Sequence, residues 1–488
     1  IQRTEFAEQF LYVENKNSLE EIVFWTRIPM VLTGVFLGFL VFSWSNSLYG
    51  FKSGIFALFL YAFSPSILAH TRLVTMDIGA TCFIFLALFS FYVYCRNPSS
   101  RNLILSGVTF GLAQLSKYTA IYLYFLYPIL FFLFWVLQKK DFMVDYKISK
   151  DIKKLFLGII IIFSIGSLVL FCGYFFELKP MLSNDVDVKE KIAYFEAFIT
   201  KLPGGNSDFV KEKFVNLALN QPVPFSTYIM GFLGASNQTF VESRFHSMLF
   251  GNYSKDGWWY YYLIVFMLKT SFAVLVLLLI TFLFSQGLRK NLMSELFITI
   301  PVVLLMMFTM VSTLTGGVRY ILPIYPFLFV YISKITNINF QKSQSFVRRG
   351  LVYMLVLLPV FCHLYGSFKI YPHYLSYFNI FAGGANNGYK CLTRANIDLG
   401  QDLKGLDGYL RKNNISRVKL SYWGFAPPEI YNIHNLPIEE ADKEIPSQDV
   451  YAISAHNIDQ FKWTEEYKPS CKIGYSIFIY DFRFVNFM

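Results

Sequence analysis

The charged residues between this chain's apolar stretches alternate, and that alternation dictates which side of a membrane each connection occupies. The stretches run roughly over 28–44, 54–69, 78–94, 103–116, 119–137, 155–176, 258–285, 294–313, 320–337 and 350–371. Every second connection is basic: Arg96 and Arg101; Lys139, Lys140, Lys147, Lys150, Lys153 and Lys154; Arg289 and Lys290; Lys342, Arg348 and Arg349. Short loops rich in Lys and Arg stay on the cytoplasmic side. The chain start, the loop around Asp77, the segment 177–257, the turn at Arg319 and everything after 371 are therefore expected on the opposite side. The side chains able to do chemistry gather on that one face.

Of the 488 residues, 55% are hydrophobic and 19% aromatic, too apolar for a soluble domain. Lipid offers no partner to backbone amides, so stretches of about 17–25 apolar residues cross it as helices. The expected fold is a multi-pass α-helical membrane protein with about ten spans, followed by a small exported α/β domain. The stretches 103–116 and 119–137, interrupted by Lys117, are the least regular. A net charge of +11 is accounted for by topology and anionic lipid, not by nucleic acid. No signal-peptide pattern opens the chain at Ile1. A start on the outer side requires an earlier span or processing, so residues upstream are expected. The divisions are an outer juxtamembrane segment 1–26, membrane helices 27–176, a large outer loop 177–257, membrane helices 258–371 and an exported domain 372–488.

Beyond the last span the periodicity changes. Val418, Leu420 and Tyr422 alternate as in a strand, 449–454 and 473–482 give two more, and Leu403, Leu406, Tyr409 and Leu410 have helical spacing. The loop 177–257 is long enough to hold helices of its own. Cys82, Cys95, Cys172 and Cys362 sit in or beside spans, while Cys391 and Cys471 share the exported region, where a disulfide is admissible.

Several polar residues interrupt the outer face. His70, Arg72 and Asp77 fall in one connection; Asp77 begins a helical run and suits a helix N-terminus, and such residues otherwise line a cavity. Lys117 closes a span, where it either snorkels to the interface or meets a partner. Arg319 and Tyr320 follow Gly316-Gly317, and a guanidinium beside a phenol suits a phosphate oxygen or an interfacial anchor. Trp258 to Tyr262 read as an aromatic belt, with Arg244 and His246 just before them. Asp398 and Gln401 have capping-box spacing, and Asp402 suits a first turn. No Walker loop, dinucleotide fingerprint, zinc spacing or nucleophile elbow is present. An acid, two strong cations and aromatics at a lipid boundary fit a lipid-linked phosphate donor: cations hold the leaving phosphate while a carboxylate activates the acceptor.

The runs Ser64 to Asp77 (SPSILAHTRLVTMD) and Gly111 to Tyr118 (GLAQLSKY) resemble the membrane glycosyltransferases of family 39. These are the protein O-mannosyltransferase-like and aminoarabinose-transferase-like branch of the GT-C superfamily. Gly257 to Tyr261, Lys269-Thr270, Arg319 to Pro326, and Tyr377 to Leu403 extend the likeness over nearly the whole chain, with Leu399 where similar proteins often carry Trp. The resemblance implies a polyprenyl-phosphate sugar donor and a protein, lipid or glycan acceptor. It places both on the periplasmic face of a bacterial inner membrane or an equivalent outer face. It puts the principal catalytic acid before Ile1, makes Asp77 the second outer-loop acid near the donor sugar or a metal, and places Lys117, Arg319 and Tyr320 near the donor phosphate. It leaves a divalent metal open and gives no nucleic-acid partner.

The reading is thus an inverting transferase with a lipid-linked donor. His70, Arg72, Arg244, His246, Asp398, Gln401 and Asp402 are further candidates. The alternatives are a transporter, against which stand the absent internal repeat and the gathering of ionisable groups at one edge, or a non-catalytic subunit with an exported interaction domain. Asn237, Asn252 and Asn414 head acceptor triplets for N-glycosylation, which arise by chance as well.

Overall fold

The computed structural model describes residues 5–6, 9–15, 18–139, 152–182, 192–193, 195–196, 199–200, 207–240, 247–284, 292–337 and 346–485. Of the basic residues named above, Lys140, Lys147, Lys150, Arg289, Lys290 and Lys342 lie outside the described residues, as do Arg244 and His246.

Helix α1 (Leu19–Tyr49) starts at Ser18, whose hydroxyl accepts from Glu21 N at 3.3 Å, with Glu20 and Glu21 in its first turn facing the helix dipole. Gly50 ends it at φ +96°, a conformation that favours glycine. Thus the helix begins within the segment read as juxtamembrane. α2 (Phe51–Ala62) and α3 (Pro65–Thr71) are bent by 66°, α4 (Met76–Arg96) returns, and α5 (Ser100–Ser116), α6 (Leu123–Lys139) and α7 (Ile152–Gly173) follow. α8 (Asp208–Asn220) and α9 (Ser226–Phe240) occupy the long loop. There β1 (Leu178–Pro180) pairs antiparallel with β2 (Pro222–Pro224) beside a small core of Leu182, Phe195, Ile199, Ala218 and Leu233.

A hairpin, β3 (Ser247–Leu249) and β4 (Asn252–Ser254), leads to α10 (Tyr261–Lys269) and α11 (Phe272–Leu283), which meet at 107°. α12 (Leu292–Met310), α13 (Ile324–Ser333) and α14 (Phe346–Ile370) complete the bundle. Among the described residues, five helical stretches are long and apolar enough to cross a membrane alone, or up to seven spans with the two bent pairs. The expected ten stretches are all helical. However, α5 has 17 residues, α13 has 10, and the apolar part of α14 is Met354–Ile370. All ten residues of α13 are buried by protein, which removes the need for a lipid-length apolar run.

The end of the bundle away from the C-terminal domain is closed by buried polar contacts. Lys334 is fully buried, its ammonium 3.2 Å from Glu295 Oε1 and 3.9 Å from the Tyr331 ring centre. Ser45 meets Ser333 and Ser53 meets Thr336, each at 2.7 Å, and Asn337 Nδ2 donates to Tyr49 O at 3.1 Å. These bonds tie α1 and α2 to the end of α13.

In the C-terminal domain, α15 (Leu403–Lys412) precedes β5 (Val418–Ser421), β6 (Asn435–Leu436), the short α16 (Ala441–Glu444), β7 (Val450–Ser454), β8 (Cys471–Ile473) and β9 (Ile477–Asp481). The sheet order is β6-β5-β7-β9-β8, with β5 parallel to β6 and β7, and β9 antiparallel to β7 and β8. Leu403, Leu406 and Leu410 cover Val418, Leu420, Val450 and Ala452 on one face. Tyr451, Ile453, Phe478 and Tyr480 point to the other, against Phe461 and Trp463. Strands with alternate side chains on two covered faces read as apolar runs, as β7 and β9 do. The helix and the strands expected at 418–422 and 449–454 are present, while the stretch 473–482 divides into the end of β8, a turn and β9; β6 and β8 are edge strands too short to show a period. All six cysteines are free thiols.

Removing one member of the Lys334–Glu295 pair strands a buried charge, which costs about 3–5 kcal/mol. Lys334→Met is therefore expected to destabilise the protein by that order in detergent unfolding. Lys334→Met with Glu295→Leu should recover most of the loss; equal or greater destabilisation in the double variant would contradict this account.

Candidate active site at the domain end of the bundle

α4 starts at Thr75 in extended conformation, so Asp77 stands in the first helical turn, where the helix dipole favours a carboxylate. α5 stops at Ser116, and Lys117 is extended (φ −167°, ψ 141°) before a 3₁₀ turn, Tyr118–Tyr122. That break swings the ammonium of Lys117 to 2.7 Å from Asp77 Oδ1, the two side chains being 17% and 6% exposed. Lys117 is thus ion-paired rather than snorkelling. Its Nζ also lies 4.7 Å from the Tyr320 ring centre, and Arg319 Cζ lies 5.4 Å from the same ring. Both cations sit where the ring quadrupole attracts them.

Arg319 and Tyr320 belong to the 3₁₀ turn Val318–Tyr320, entered from Gly317 at φ +80°. Arg319 Nε donates to Gly316 O at 3.1 Å, and among the described residues no carboxylate pairs with it. Asp77, Lys117, Arg319 and Tyr320, with Met30, Val74, Thr75 and Met76, enclose a cavity of about 540 Å³. A second cavity of about 370 Å³ shares Tyr320 and is otherwise walled by Tyr118, Ile121, Phe125, Phe232, Leu305, Phe308 and neighbours. Its wall is almost wholly apolar, and Phe125 is 70% exposed towards the outside of the bundle. A charged pocket therefore opens beside an apolar groove.

The remaining candidates go elsewhere. His70 is buried on α3; its Nδ1 donates to Ser66 O at 2.9 Å, and Nε2 has no hydrogen-bond partner among the described residues. It stands within electrostatic reach of Asp77 and Arg319 without lining the cavity. Arg72 Nη1 donates to Pro372 O at 2.9 Å, tying its loop to the end of α14.

Asp398, Gln401 and Asp402 form no capping box. Asp402 is the residue before α15, and its side chain makes no capping bond; instead it accepts from Ser476 Oγ at 2.7 Å and faces His373 Nδ1 at 3.4 Å. Gln401 folds back on its own loop, donating to Ile397 O and accepting from Leu399 N. Asp398 Oδ1 accepts from Gly400 N at 2.8 Å. Asp398 and Gln401 hold their own loop together, as Asx and Gln side chains do when they compete for backbone groups, Asp402 ties that loop to Ser476, and none of the three lines the charged pocket.

The aromatic run also divides. Trp259 is 64% exposed as a belt residue should be, but Tyr261 and Tyr262 are buried. Tyr262 OH donates to Leu314 O and accepts from Gly316 N at 3.2 Å, bracing the segment that carries Arg319. Sequence reasoning missed Lys269 as a structural centre: buried at the break after α10, it donates to Leu375 O at 2.7 Å and Asn396 O at 2.6 Å. A lysine inside the apolar run from Tyr260 to Leu283 is itself a signal, since ionisable groups there need partners.

Among the described residues no three His, Cys, Asp or Glu side chains converge to hold a metal ion. In the cavity Asp77 is the one carboxylate among them, and Lys117 engages it. Among the described residues, that donor set by itself does not fit a resident divalent cation.

Burial pushes the Asp398 carboxyl up to about 7, and neighbouring Asp402 adds to the rise. An unfolded Asp titrates near about 3.9, so the folded state holds more protons between the two values and loses stability as pH climbs through that window. Asp398→Asn should remove this loss. Melting curves from pH 5 to pH 8 are expected to show the variant gaining on the parent as pH increases; a constant difference would refute it.

Residues 20–169 match the family model of dolichyl-phosphate-mannose-protein mannosyltransferases. No curated protein matches the chain by sequence. Among solved structures, the chain is similar to ArnT from Cupriavidus metallidurans bound to undecaprenyl phosphate, at 9% identity and TM-score 0.44, over 93% of this chain and 83% of that one. The apo state of the same enzyme gives 11% identity and 0.41, over 93% and 82%. The apo Archaeoglobus fulgidus oligosaccharyltransferase gives 11% and 0.45, over 88% of this chain and 54% of that one, so the chain spans about half its length. Likenesses this distant establish no residue correspondence.

Proposed function

We propose that this GT-C-type membrane glycosyltransferase, matched over its first membrane helices to the mannosyltransferase family, takes its sugar from a polyprenyl-phosphate carrier. The observation that carries the reading is the meeting of Asp77, Lys117, Arg319 and Tyr320, from three distant parts of the sequence, in one pocket beside an apolar groove. Lys117 is neutralised by Asp77, which leaves Arg319 as the uncompensated charge of the pocket among the described residues and suits a phosphodiester. A guanidinium binds phosphate oxygens in a fixed fork and keeps its charge at any working pH. The groove past Tyr320 supplies an apolar wall for the first prenyl units.

In the reaction an acceptor hydroxyl attacks the anomeric carbon from the side opposite the phosphate. The bond from that carbon to the phosphate oxygen breaks, its electron pair stays with the polyprenyl phosphate, and the hydroxyl proton passes to a carboxylate. Negative charge grows on the leaving phosphate, and Arg319 with Lys117 stabilises it where it develops. Asp77 fixes Lys117 and stands near the donor sugar. The acceptor is a protein, lipid or glycan on the non-cytoplasmic side, and the membrane is the bacterial plasma membrane.

Arg319→Ala is expected to lower transfer from a polyprenyl-phosphate sugar by about 100-fold or more, within the range for lost transition-state donors, with the protein still folded. Asp77→Asn should cut kcat more than donor affinity. Radiolabel transfer in proteoliposomes by the full-length protein tests both; undiminished transfer by Arg319→Ala would dismiss the phosphate role. A second test concerns the groove. Exchanging the long carrier for a two-isoprene phosphate sugar removes apolar contact worth about 0.8 kcal/mol per buried methylene. KM should rise at least several-fold, and equal use of both donors would exclude the groove from binding the lipid.

A further inference from the structure

We propose that Asn396, itself anchored by Lys269, is a positioning residue for Arg319, so that the start of the C-terminal domain sets the geometry of the phosphate site. The inference rests on the reading of Arg319 given above. Asn396 ends the turn Arg394–Asn396 and is 1% exposed. Its Oδ1 accepts at 3.1 Å from the backbone N–H of Val318, the residue that opens the turn bearing Arg319 and Tyr320. The N-cap of that turn is Gly317, which has no side chain to offer, so the capping acceptor comes from 78 residues away.

The approach is close as well. A methyl group on Gly317 would stand 2.8 Å from Asn396 Oδ1, at a backbone φ of +80°. Asn396 Nδ2 is held in turn, donating to Tyr261 OH at 2.9 Å and Thr393 O at 3.2 Å. All the polar atoms of this amide are thus in use, and its orientation is fixed. Lys269 then fixes the backbone: its buried ammonium bonds Asn396 O and Leu375 O and lies 4.2 Å from the Phe378 ring centre. Ser66 Oγ donates to Lys269 O at 3.3 Å, joining this strut to α3.

A buried ammonium held by carbonyls is costly and has a single geometry that satisfies it. Such a group transmits position well, because the carbonyls must stay where it bonds them. The Arg319 turn is short, follows a glycine and packs beside a cavity on one face. Besides the Val318 bond, the turn is held by its local contacts, by the Tyr262 brace on Gly316 and by Lys117 over the Tyr320 ring.

The test is a double-mutant cycle on binding of undecaprenyl phosphate to the purified full-length protein. Asn396→Leu should weaken binding about 10-fold, and Arg319→Ala at least as much. Residues that act through one another give non-additive losses, so the double variant should bind within about 2-fold of Arg319→Ala alone. Tyr261→Phe, which removes the support of the amide but not its bond to Val318, should give a smaller loss that likewise vanishes in the Arg319→Ala background. It carries the test if Asn396→Leu fails to fold. Additive losses, or unchanged binding by Asn396→Leu and Tyr261→Phe alongside a large Arg319→Ala effect, would overturn the positioning role alone. Unchanged binding by Arg319→Ala would overturn the phosphate reading itself.

Discussion

The contact between Lys117 and Asp77 governs the electrostatics of everything around it. At 2.7 Å and largely buried, the two charges cancel in a place where water screens poorly. What remains at the mouth of the cavity is the guanidinium of Arg319, leaning over the same Tyr320 ring as the lysine. Had Asp77 been absent, two cations would share one ring and repel. With the pair made, the pocket carries one positive charge in excess among the described residues, and that charge has a fixed position. A binding site for a singly charged phosphodiester needs this balance more than it needs many cations.

Much of this was legible in the sequence because membranes impose simple rules. Apolar stretches announce the helices, and a charge that interrupts them must be satisfied, so Asp77, Lys117 and Arg319 stand out unaided. The alternating residues of β5, β7 and β9 were readable for a similar reason: a sheet covered on two faces repeats every second residue. What stayed hidden depends on contacts between distant segments. Tyr261 and Tyr262 sit in an aromatic run that looks interfacial, and only the fold turns them inward to Asn396 and Gly316. The spacing of Asp398 and Gln401 suggested a cap, yet the helix starts at Leu403 and the two side chains serve their own loop. Short motifs report local preference, and here tertiary contacts outbid it.

The C-terminal domain is joined to the bundle by more than its linker. Asn379 Nδ2 donates to Thr270 O at 2.8 Å, the strand hairpin before α10 meets Cys391 O through Phe250 N at 3.0 Å, and Lys269 reaches two carbonyls beyond α14. The Asn379 and Lys269 bonds lie at the 107° break between α10 and α11. A broken helix leaves carbonyls without intrahelical partners, which lipid would penalise. The segment after α14 supplies those partners, so the break and the docking of the domain stabilise each other.

That reciprocity bears on how such a protein can evolve. The two ends of the bundle bury polar groups for different purposes. At one end Lys334 and Glu295 are paired charge to charge, and a well-packed apolar pair of similar volume can serve a fold as well as such a pair. At the other, Lys269 bonds backbone carbonyls that no apolar side chain could satisfy, and one of them belongs to the residue that caps the Arg319 turn. Substitution is therefore open at the first end and closed at the second. The difference lies in the partners: a charge paired with a charge can be replaced together with it, whereas a charge holding the main chain cannot.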